Sequence, residues 1–189
     1  MPLYVALLRS MVIAGRRIRG EDIRGLAERV GATDVRSVIA TGNLVFRSRK
    51  RPATLERELE VECAAFYGKA TEIVVKTASE WRALLEANPF PDEAKANPSH
   101  LLVWAMRQPL PDKGLEQLRR RAAPDEKVER VAGGDFYVWF GDGEVIETRL
   151  TAGFDLGRLG AVGTNRNWNT ARKILAVLDE MEGRRTSAR

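Results

Sequence analysis

The residues best suited to chemistry lie together near the end of the chain, just before a strongly periodic helix. The stretch is Asn165-Arg166-Asn167-Trp168-Asn169-Thr170. Either Asn167 or Thr164 would accept hydrogen bonds from the first backbone N–H groups of that helix, a cap worth about 1 kcal/mol. A helix start also offers free N–H donors and partial positive charge to an anion, and an arginine adds a bidentate donor. The stretch therefore supports two interpretations, a helix cap and an anion-binding site.

The order of charges along this last helix favours the anion-binding interpretation. Arg172 and Lys173 lie in its early turns, whereas Asp179, Glu180 and Glu182 lie near its end. Each well-placed charge of this kind opposes the helix dipole by about 0.3–1 kcal/mol. Cations at the positive end of a helix indicate an anion there, either a ligand or an acidic side chain from elsewhere in the fold. The predicted ligand-binding residues are Arg166 as principal donor, Asn165, Asn167 and Thr170 as orienting groups, and Arg172.

Two basic loops without acidic residues give a second interpretation, in which a nucleic-acid backbone is the partner. Sheets that bind RNA also place exposed aromatic side chains on central strands. Here the candidates are Phe46 and the segment Phe136–Phe140, where alternation places Tyr137 and Trp139 on the face opposite Phe136 and Phe140. One face must be core, and the other would stack bases or pack within the protein. The residues of this interpretation are Arg16, Arg17, Arg19, Arg47, Arg49, Lys50 and Arg51.

Other chemistries find little support. The chain has one histidine, His100, and one cysteine, Cys63, so a zinc site of the usual type is excluded and no catalytic triad follows. Cys63 lies on the apolar stripe of a helix, as a buried small hydrophobe would. No phosphate-binding glycine loop or dinucleotide fingerprint is present. The sequence predicts no metal site and does not identify a cofactor or a reaction. An enzyme of unknown reaction stays an open alternative beside a structural or interaction role.

The composition is that of an ordinary globular protein. The chain has 189 residues, 44% of them hydrophobic and 30% charged, with a formal net charge of +5. The charge permits an anionic partner without demanding one. No apolar run approaches the roughly 20 residues of a membrane span, and the N-terminus is typical of a strand and not of a signal peptide. A single cysteine fits a reducing compartment. We therefore expect a cytoplasmic protein without a membrane partner, and the sequence does not indicate its oligomeric state.

Two sets of strands and helices must position these residues. Strands are predicted at Leu3–Arg9, Val35–Ala40, Leu44–Phe46, Glu72–Lys76, His100–Met106, Lys127–Val131, Phe136–Phe140 and Ala161–Thr164. Helices are predicted around Ile23–Val30, from a Thr54 cap to Gly68, from a Ser79 cap through Leu85, around Leu115–Ala122, over Val145–Leu159 and from Trp168 onward. The turn Thr41-Gly42-Asn43 joins two of the strands, with Gly42 or Asn43 at positive φ.

Both sets follow the order β-α-β-β-α-β, which is that of the split βαβ, or ferredoxin-like, unit. The predicted class is therefore α+β, with two ferredoxin-like halves that each form an antiparallel sheet with helices on one face. The halves show no evident sequence identity, so an internal duplication follows from element order alone. The predicted ranges are 1–87 for the first half, 88–99 for a proline-rich linker, 100–182 for the second half and 183–189 for a frayed tail.

Three segments resemble the signatures of family 1697 of the domains of unknown function. They are Tyr4–Arg9, Thr41–Phe46 and Thr164–Thr170, in matching order and spacing. The resemblance implies a duplicated ferredoxin-like protein that is bacterial and cytosolic, and it brings no reaction, cofactor or catalytic residue. The chain departs from the family in Ser10–Gly15, where the family has a glycine-rich run. The loss of two glycines puts a positive-φ turn at that loop in question.

Overall fold

The computed structural model describes residues 1–10, 12–39, 42–141, 150 and 154–187, with side chains up to residue 183. The chain forms two compact units. Unit 1 comprises Met1–Ala83 together with Arg172–Arg189, and unit 2 comprises Leu84–Ala171. The sequence-based ranges differ from this division because they place the last helix wholly in the second half. They stay a prediction for the organisation of the folded domains.

Unit 1 contains a four-stranded antiparallel sheet in the order β4-β5-β1-β6. Its strands are β1 Leu3–Leu8, β4 Thr33–Ser37, β5 Asn43–Arg47 and β6 Ile73–Thr77, and a small hairpin pairs β2 Val12–Ile13 with β3 Arg16–Arg17. Its helices are α1 Gly20–Arg29, α2 Pro52–Tyr67 and most of α3 Ala78–Glu86. The core joins one face of the sheet to α1 and α2 through residues that include Phe46, Leu26 and Leu59.

The helices α2 and α3 of unit 1 begin at other residues than the predicted caps Thr54 and Ser79. α2 begins at Pro52 after Arg51, two residues before the predicted Thr54 cap, because proline at the first helical position needs no hydrogen-bond partner. In α3, Thr77 and not Ser79 supplies the cap. The Glu80 N–H donates to Thr77 Oγ1 (3.1 Å) and the Thr77 N–H to Glu80 Oε2 (2.7 Å), which is a capping box.

The turns of unit 1 carry positive φ as their glycines suggest. Gly42 has φ +66°, which confirms the predicted turn before β5, while Thr41 lies outside the described residues. The first basic loop, with Arg16, Arg17 and Arg19, contains the β2–β3 hairpin. Its turn has Ala14 at φ +48° and Gly15 at φ +75°, so the positive-φ turn forms although the family glycines are reduced. Ala14 adopts there a conformation that favours glycine.

Unit 2 contains a second four-stranded antiparallel sheet, in the order β10-β7-β9-β8. Its strands are β7 Leu101–Met106, β8 Lys127–Arg130, β9 Phe136–Trp139 and β10 Gly163–Asn167, and its helices are α4 Pro91–Ala96, α5 Asp112–Arg121 and the short 3-10 helix Gly157–Leu159. The predicted linker at 88–99 thus includes a helix. The helix predicted over Val145–Leu159 lies mainly outside the described residues, and its described end forms only the 3-10 turn.

The two sheets share one connectivity. When the strands of each four-stranded sheet are counted in chain order, the first lies between the third and the fourth, and the second lies at the edge beside the third. The α+β class with antiparallel sheets and helices is therefore confirmed. The ferredoxin-like description stays an interpretation of this order. Both predicted faces of β9 are buried: Phe136 and Val138 lie in the unit 2 core with α5, and Tyr137 and Trp139 are buried on the opposite face.

The last helix, α6 Trp168–Ser187, starts directly from β10 without an intervening loop. Its buried residues from Ile174 through Leu178 to Met181 follow helical spacing in unit 1. Arg47 Nη2 of β5 donates to the Met181 carbonyl (2.7 Å), which joins this helix to the unit 1 sheet. Among the described residues, no helix combines the length and apolarity that crossing a membrane requires.

Candidate functional site

The candidate site lies on β10, an edge strand that pairs with β7. Arg166 lies opposite Val103, and Thr164 lies opposite Ala105. Because side chains alternate along a strand, Thr164 and Arg166 share one face, and Asn165 and Asn167 share the other. The sequence therefore places an arginine and a hydroxyl side by side, two residues apart, at the end of the strand that leads into α6.

Arg166 is held in place by its own strand. Its Nη1 donates to Thr164 Oγ1 (3.0 Å) and to the Asn165 carbonyl (2.6 Å). The residue is half-buried, and desolvation lowers the pKa of Arg166 to about 10. The guanidinium is still charged at neutral pH, so the strand carries a cation with reduced access to water. Such a cation is costly to bury unless charge and hydrogen bonds compensate it.

The cap of α6 is Asn167. Its Oδ1 accepts a hydrogen bond from the Thr170 N–H (2.9 Å), so the cap interpretation of this residue is confirmed. Thr164, the alternative cap, instead accepts from Arg166. The ring of Trp168 lies 6.3 Å from that of Tyr137, and the Tyr137 hydroxyl donates to the Leu84 carbonyl (2.7 Å). In the stretch before α6, Asn167 is thus the helix cap, whereas Arg166 belongs to the strand.

The acidic end of α6 has partners within unit 1. Arg82 Nη2 contacts Asp179 Oδ1 (2.6 Å) and Glu182 Oε2 (3.0 Å), and Arg36 Nη1 contacts Glu180 Oε2 (3.3 Å). These ion pairs explain the acidic end of the unusual charge order, because arginines from other elements compensate the acids at the negative end of the helix.

The cations in the first turns of α6, unlike its acids, are not ion-paired with described residues. Arg172 and Lys173 are both exposed, and no ion pair of theirs occurs in the part of the chain that the structure describes. Arg172 belongs to unit 1, whereas Asn165, Arg166, Asn167 and Thr170 belong to unit 2. The candidate site of unit 2 therefore comprises residues up to Thr170.

Part of the basic set of the nucleic-acid interpretation is engaged within unit 1. Arg16 lies over the rings of Phe66 and Tyr67, at 5.2 and 5.4 Å from the ring centroids. Lys50 Nζ donates to the Val30 carbonyl at the end of α1 (2.7 Å) and pairs with Glu58. Arg19 pairs with Glu21 and Asp22. Arg47 pairs with Asp34 and donates to the Met1 and Met181 carbonyls. Arg17, Arg49 and Arg51 are exposed.

The strand aromatics do not form a stacking surface. Tyr4 and Phe46 are buried in the unit 1 core, and Tyr137 and Trp139 are buried in unit 2. A sheet that binds bases by stacking must expose its rings to solvent. The described strands therefore lack the feature that would favour that mode of RNA binding.

The one cysteine of the chain is part of a core, and its one histidine contacts the backbone. Cys63 is buried, as predicted, and burial raises the pKa of its thiol to about 12. His100 Nδ1 lies 2.8 Å from the Gly141 carbonyl, and the ring lies beside Trp139. Within the described residues, no group of three histidine, cysteine or acidic side chains is placed to hold a metal ion.

Two features escaped the sequence reasoning. One is the hydrogen bond from Arg166 to Thr164. The predicted strand ends at Thr164, whereas β10 continues to Asn167, and only a strand of that length places these two residues on one face. The other is a cavity of about 260 Å³ in unit 1, bordered by Arg29, Lys50, Glu58 and Glu62. Its borders come from α1, α2 and the loop before α2, and its charges already form the pairs Arg29–Glu62 and Lys50–Glu58.

The fold and the site define an α+β protein with two antiparallel sheets and a half-buried arginine at the start of its last helix. The chain belongs to DUF1697, a family of proteins of unknown function whose model matches residues 1–137. The predicted resemblance is thereby confirmed, although the Thr164–Thr170 signature lies beyond the matched residues. No curated protein matches the chain.

A similar solved structure is that of the conserved bacterial protein SP0830 from Streptococcus pneumoniae. The two chains share 22% sequence identity with a TM-score of 0.70. The match covers 94% of this chain and 98% of that one. At this identity the likeness concerns the fold alone.

Proposed function

We propose that unit 2 binds a small anion, bearing phosphate or carboxylate, at Arg166 where β10 leads into α6. The observation that carries the proposal is a half-buried guanidinium whose pKa is lowered to about 10 by desolvation. Removal from water disfavours the charged form of a guanidinium, and an oxyanion in contact with it would favour that form. Arginine is suited to this role because its planar fork binds two oxygens at once.

The neighbours of Arg166 would orient the guanidinium. Thr164 Oγ1 and the Asn165 carbonyl both accept from Nη1, which fixes the plane of the fork relative to the strand. Asn167 and Thr170 fix the first turn of α6 through their hydrogen bond, and the N-terminus of a helix adds partial positive charge. In this proposal Arg166 is the donor, and Asn165, Asn167 and Thr170 act by positioning.

Thermal unfolding with inorganic phosphate tests the proposal. A ligand at ten times its Kd stabilises a folded protein by about 1.4 kcal/mol. We expect phosphate to raise the Tm of the wild-type protein in a saturable manner, relative to chloride at the same ionic strength. The Arg166→Lys variant keeps a positive charge but loses the fork, so its phosphate response should fall sharply.

Arg130→Lys is the matched control. Arg130 is also a half-buried arginine of unit 2, and its Nη1 donates to the Leu110 carbonyl (2.8 Å) and contacts Asp112. This variant should retain the full phosphate response. If Arg166→Lys merely lowers the Tm while the response to phosphate persists, Arg166 supports the β10–α6 junction only and the anion site is refuted.

Nucleic-acid binding is the second candidate, supported by the exposure of Arg17, Arg49 and Arg51 in unit 1. Binding of this kind would be backbone-directed, since the strand aromatics are buried. The affinity for a single-stranded oligonucleotide should then fall steeply with salt, with a slope of about −0.7 per phosphate contact. Replacement of all three arginines by glutamine should flatten that slope, whereas Arg166→Lys should leave it unchanged. An enzymatic reaction has no assigned residue in either candidate.

We further infer an origin of the two units by internal duplication and a cytoplasmic location. The duplication is supported by the shared strand connectivity of the two sheets. The location is supported by the free, buried thiol of Cys63, which suits a reducing compartment. Separate sequence profiles of the two halves, built from family members, should align to each other if the first inference holds. Fractionation of cells that express the tagged chain tests the second.

A further inference from the structure

The outer edge of β6 is a row of backbone donors at the end of the unit 1 sheet. On its inner side β6 pairs with β1, and the Arg9 N–H donates to the Glu72 carbonyl (3.0 Å). Backbone groups of successive residues point to opposite sides of a strand. The N–H groups of Ile73, Val75 and Thr77 therefore point away from β1, where a further strand would pair.

Carboxylate oxygens accept hydrogen bonds from all three of these N–H groups. Glu60 Oε1 accepts from the Ile73 N–H (2.9 Å), and Glu56 Oε1 accepts from the Val75 N–H (2.9 Å). The Thr77 N–H donates to Glu80 Oε2 (2.7 Å) in the capping box of α3. Side chains thus satisfy the N–H groups that the edge would offer to a neighbouring strand.

The spacing of the two α2 glutamates matches the strand. Residues four apart on a helix are separated by about 6 Å along its axis. Alternate residues of a strand are separated by about 6.8 Å. Glu56 and Glu60 can therefore reach the consecutive outward donors of Val75 and Ile73 from one face of α2, and both carboxylates are half-buried.

The sequence of β6 explains why its outward N–H groups would need these acceptors. Ile73-Val74-Val75 is a run of β-branched residues with high strand propensity. An open edge with this composition is a template for pairing with another chain. We propose that Glu56 and Glu60 substitute for a fifth strand and keep this edge closed to β6 of a second copy of the same chain.

Removal of both carboxylates tests the proposal. In Glu56→Ala/Glu60→Ala, the Ile73 and Val75 amides lose charge-assisted hydrogen bonds, and we expect their hydrogen exchange to accelerate about tenfold or more. The same variant should associate with itself as concentration rises, beyond the state of the wild-type protein. Sedimentation velocity gives the mass, and exchange measured by NMR locates the opened edge.

Two further variants separate edge opening from loss of charge or of fold. Glu58→Ala/Glu62→Ala removes the same charge from the same helix. In the wild-type protein Glu58 and Glu62 pair with Lys50 and Arg29 and not with β6, so this variant should show wild-type exchange and association. Glu56→Gln/Glu60→Gln keeps carbonyl acceptors and should also stay closed. Equal association of both alanine variants, or no association of Glu56→Ala/Glu60→Ala, would overturn the proposal. If that variant does not fold, the single variant Glu60→Ala, which opens only the Ile73 donor, decides between the same outcomes.

Discussion

At the scale of single residues, neighbouring polar side chains before α6 differ in role because strand alternation separates them. Asn167 caps the helix, while Arg166 lies on the strand face it shares with Thr164. The sequence predicts the cap, because an amide before a periodic run has a local partner three residues ahead. It does not predict the burial of Arg166, which depends on the register of β10 against Val103 of β7, about sixty residues earlier in the chain.

The Asn167 cap has a measurable stability. Asn167→Ala removes the acceptor of the Thr170 N–H and should lower the free energy of unfolding by about 1 kcal/mol in urea denaturation. Asn169→Ala is the matched control, because Asn169 is exposed and is already inside the helix. Equal losses in the two variants would contradict the cap assignment.

Cys63 offers a test of burial by its reactivity. Burial raises the pKa of the thiol to about 12, so the thiol is almost wholly protonated, and unreactive, at pH 8. We expect slow labelling by a thiol reagent in the native protein and rapid labelling in urea, where the pKa returns to about 8.5. Rapid native labelling at pH 8, at a rate near that of the unfolded chain, would show that the thiol is accessible.

At the scale of elements, hydrophobic periodicity predicts the longer helices and strands but not short ones such as α4, and helix starts are less predictable. Thr54 and Ser79 were both suitable caps by residue type, yet Pro52 and Thr77 define the starts. Proline enters the first turn without loss of a hydrogen bond, and Thr77 gains a reciprocal partner in Glu80. The choice among nearby polar residues depends on the backbone angles at which the preceding segment arrives, and these are not local properties of the sequence.

The packing of α6 in unit 1 is tested by two leucines of the same helix. Leu178 is fully buried, and Leu178→Ala should lower the free energy of unfolding by about 2–5 kcal/mol through lost transfer energy and a cavity. Leu175 is half-buried, so Leu175→Ala should cost clearly less. Both values come from urea denaturation at one temperature. An equal cost at the two positions would contradict the assignment of the buried face of α6.

At the scale of the whole molecule, the sequence predicts the α+β class and two repeated sets of elements, since each set has its own periodic segments. It does not predict that Arg172–Arg189 clusters with unit 1. That arrangement depends on contacts between distant residues, such as Arg82 with Asp179, which lie 97 positions apart. The acids that oppose the dipole of α6 are visible in the sequence, but their partners Arg82 and Arg36 are found only in the folded chain.

The most direct test of the central claim is an NMR titration of the Arg166 side-chain Nε–H resonance with inorganic phosphate, assigned by comparison with Arg166→Lys. The proposal predicts a saturable shift of this resonance, with the Thr170 amide shifting at the same midpoint and the Arg130 resonance unchanged. Chloride at equal ionic strength should produce no such shift. An Arg166 resonance that stays fixed, or that moves linearly together with those of exposed arginines, would contradict an anion site at the start of α6.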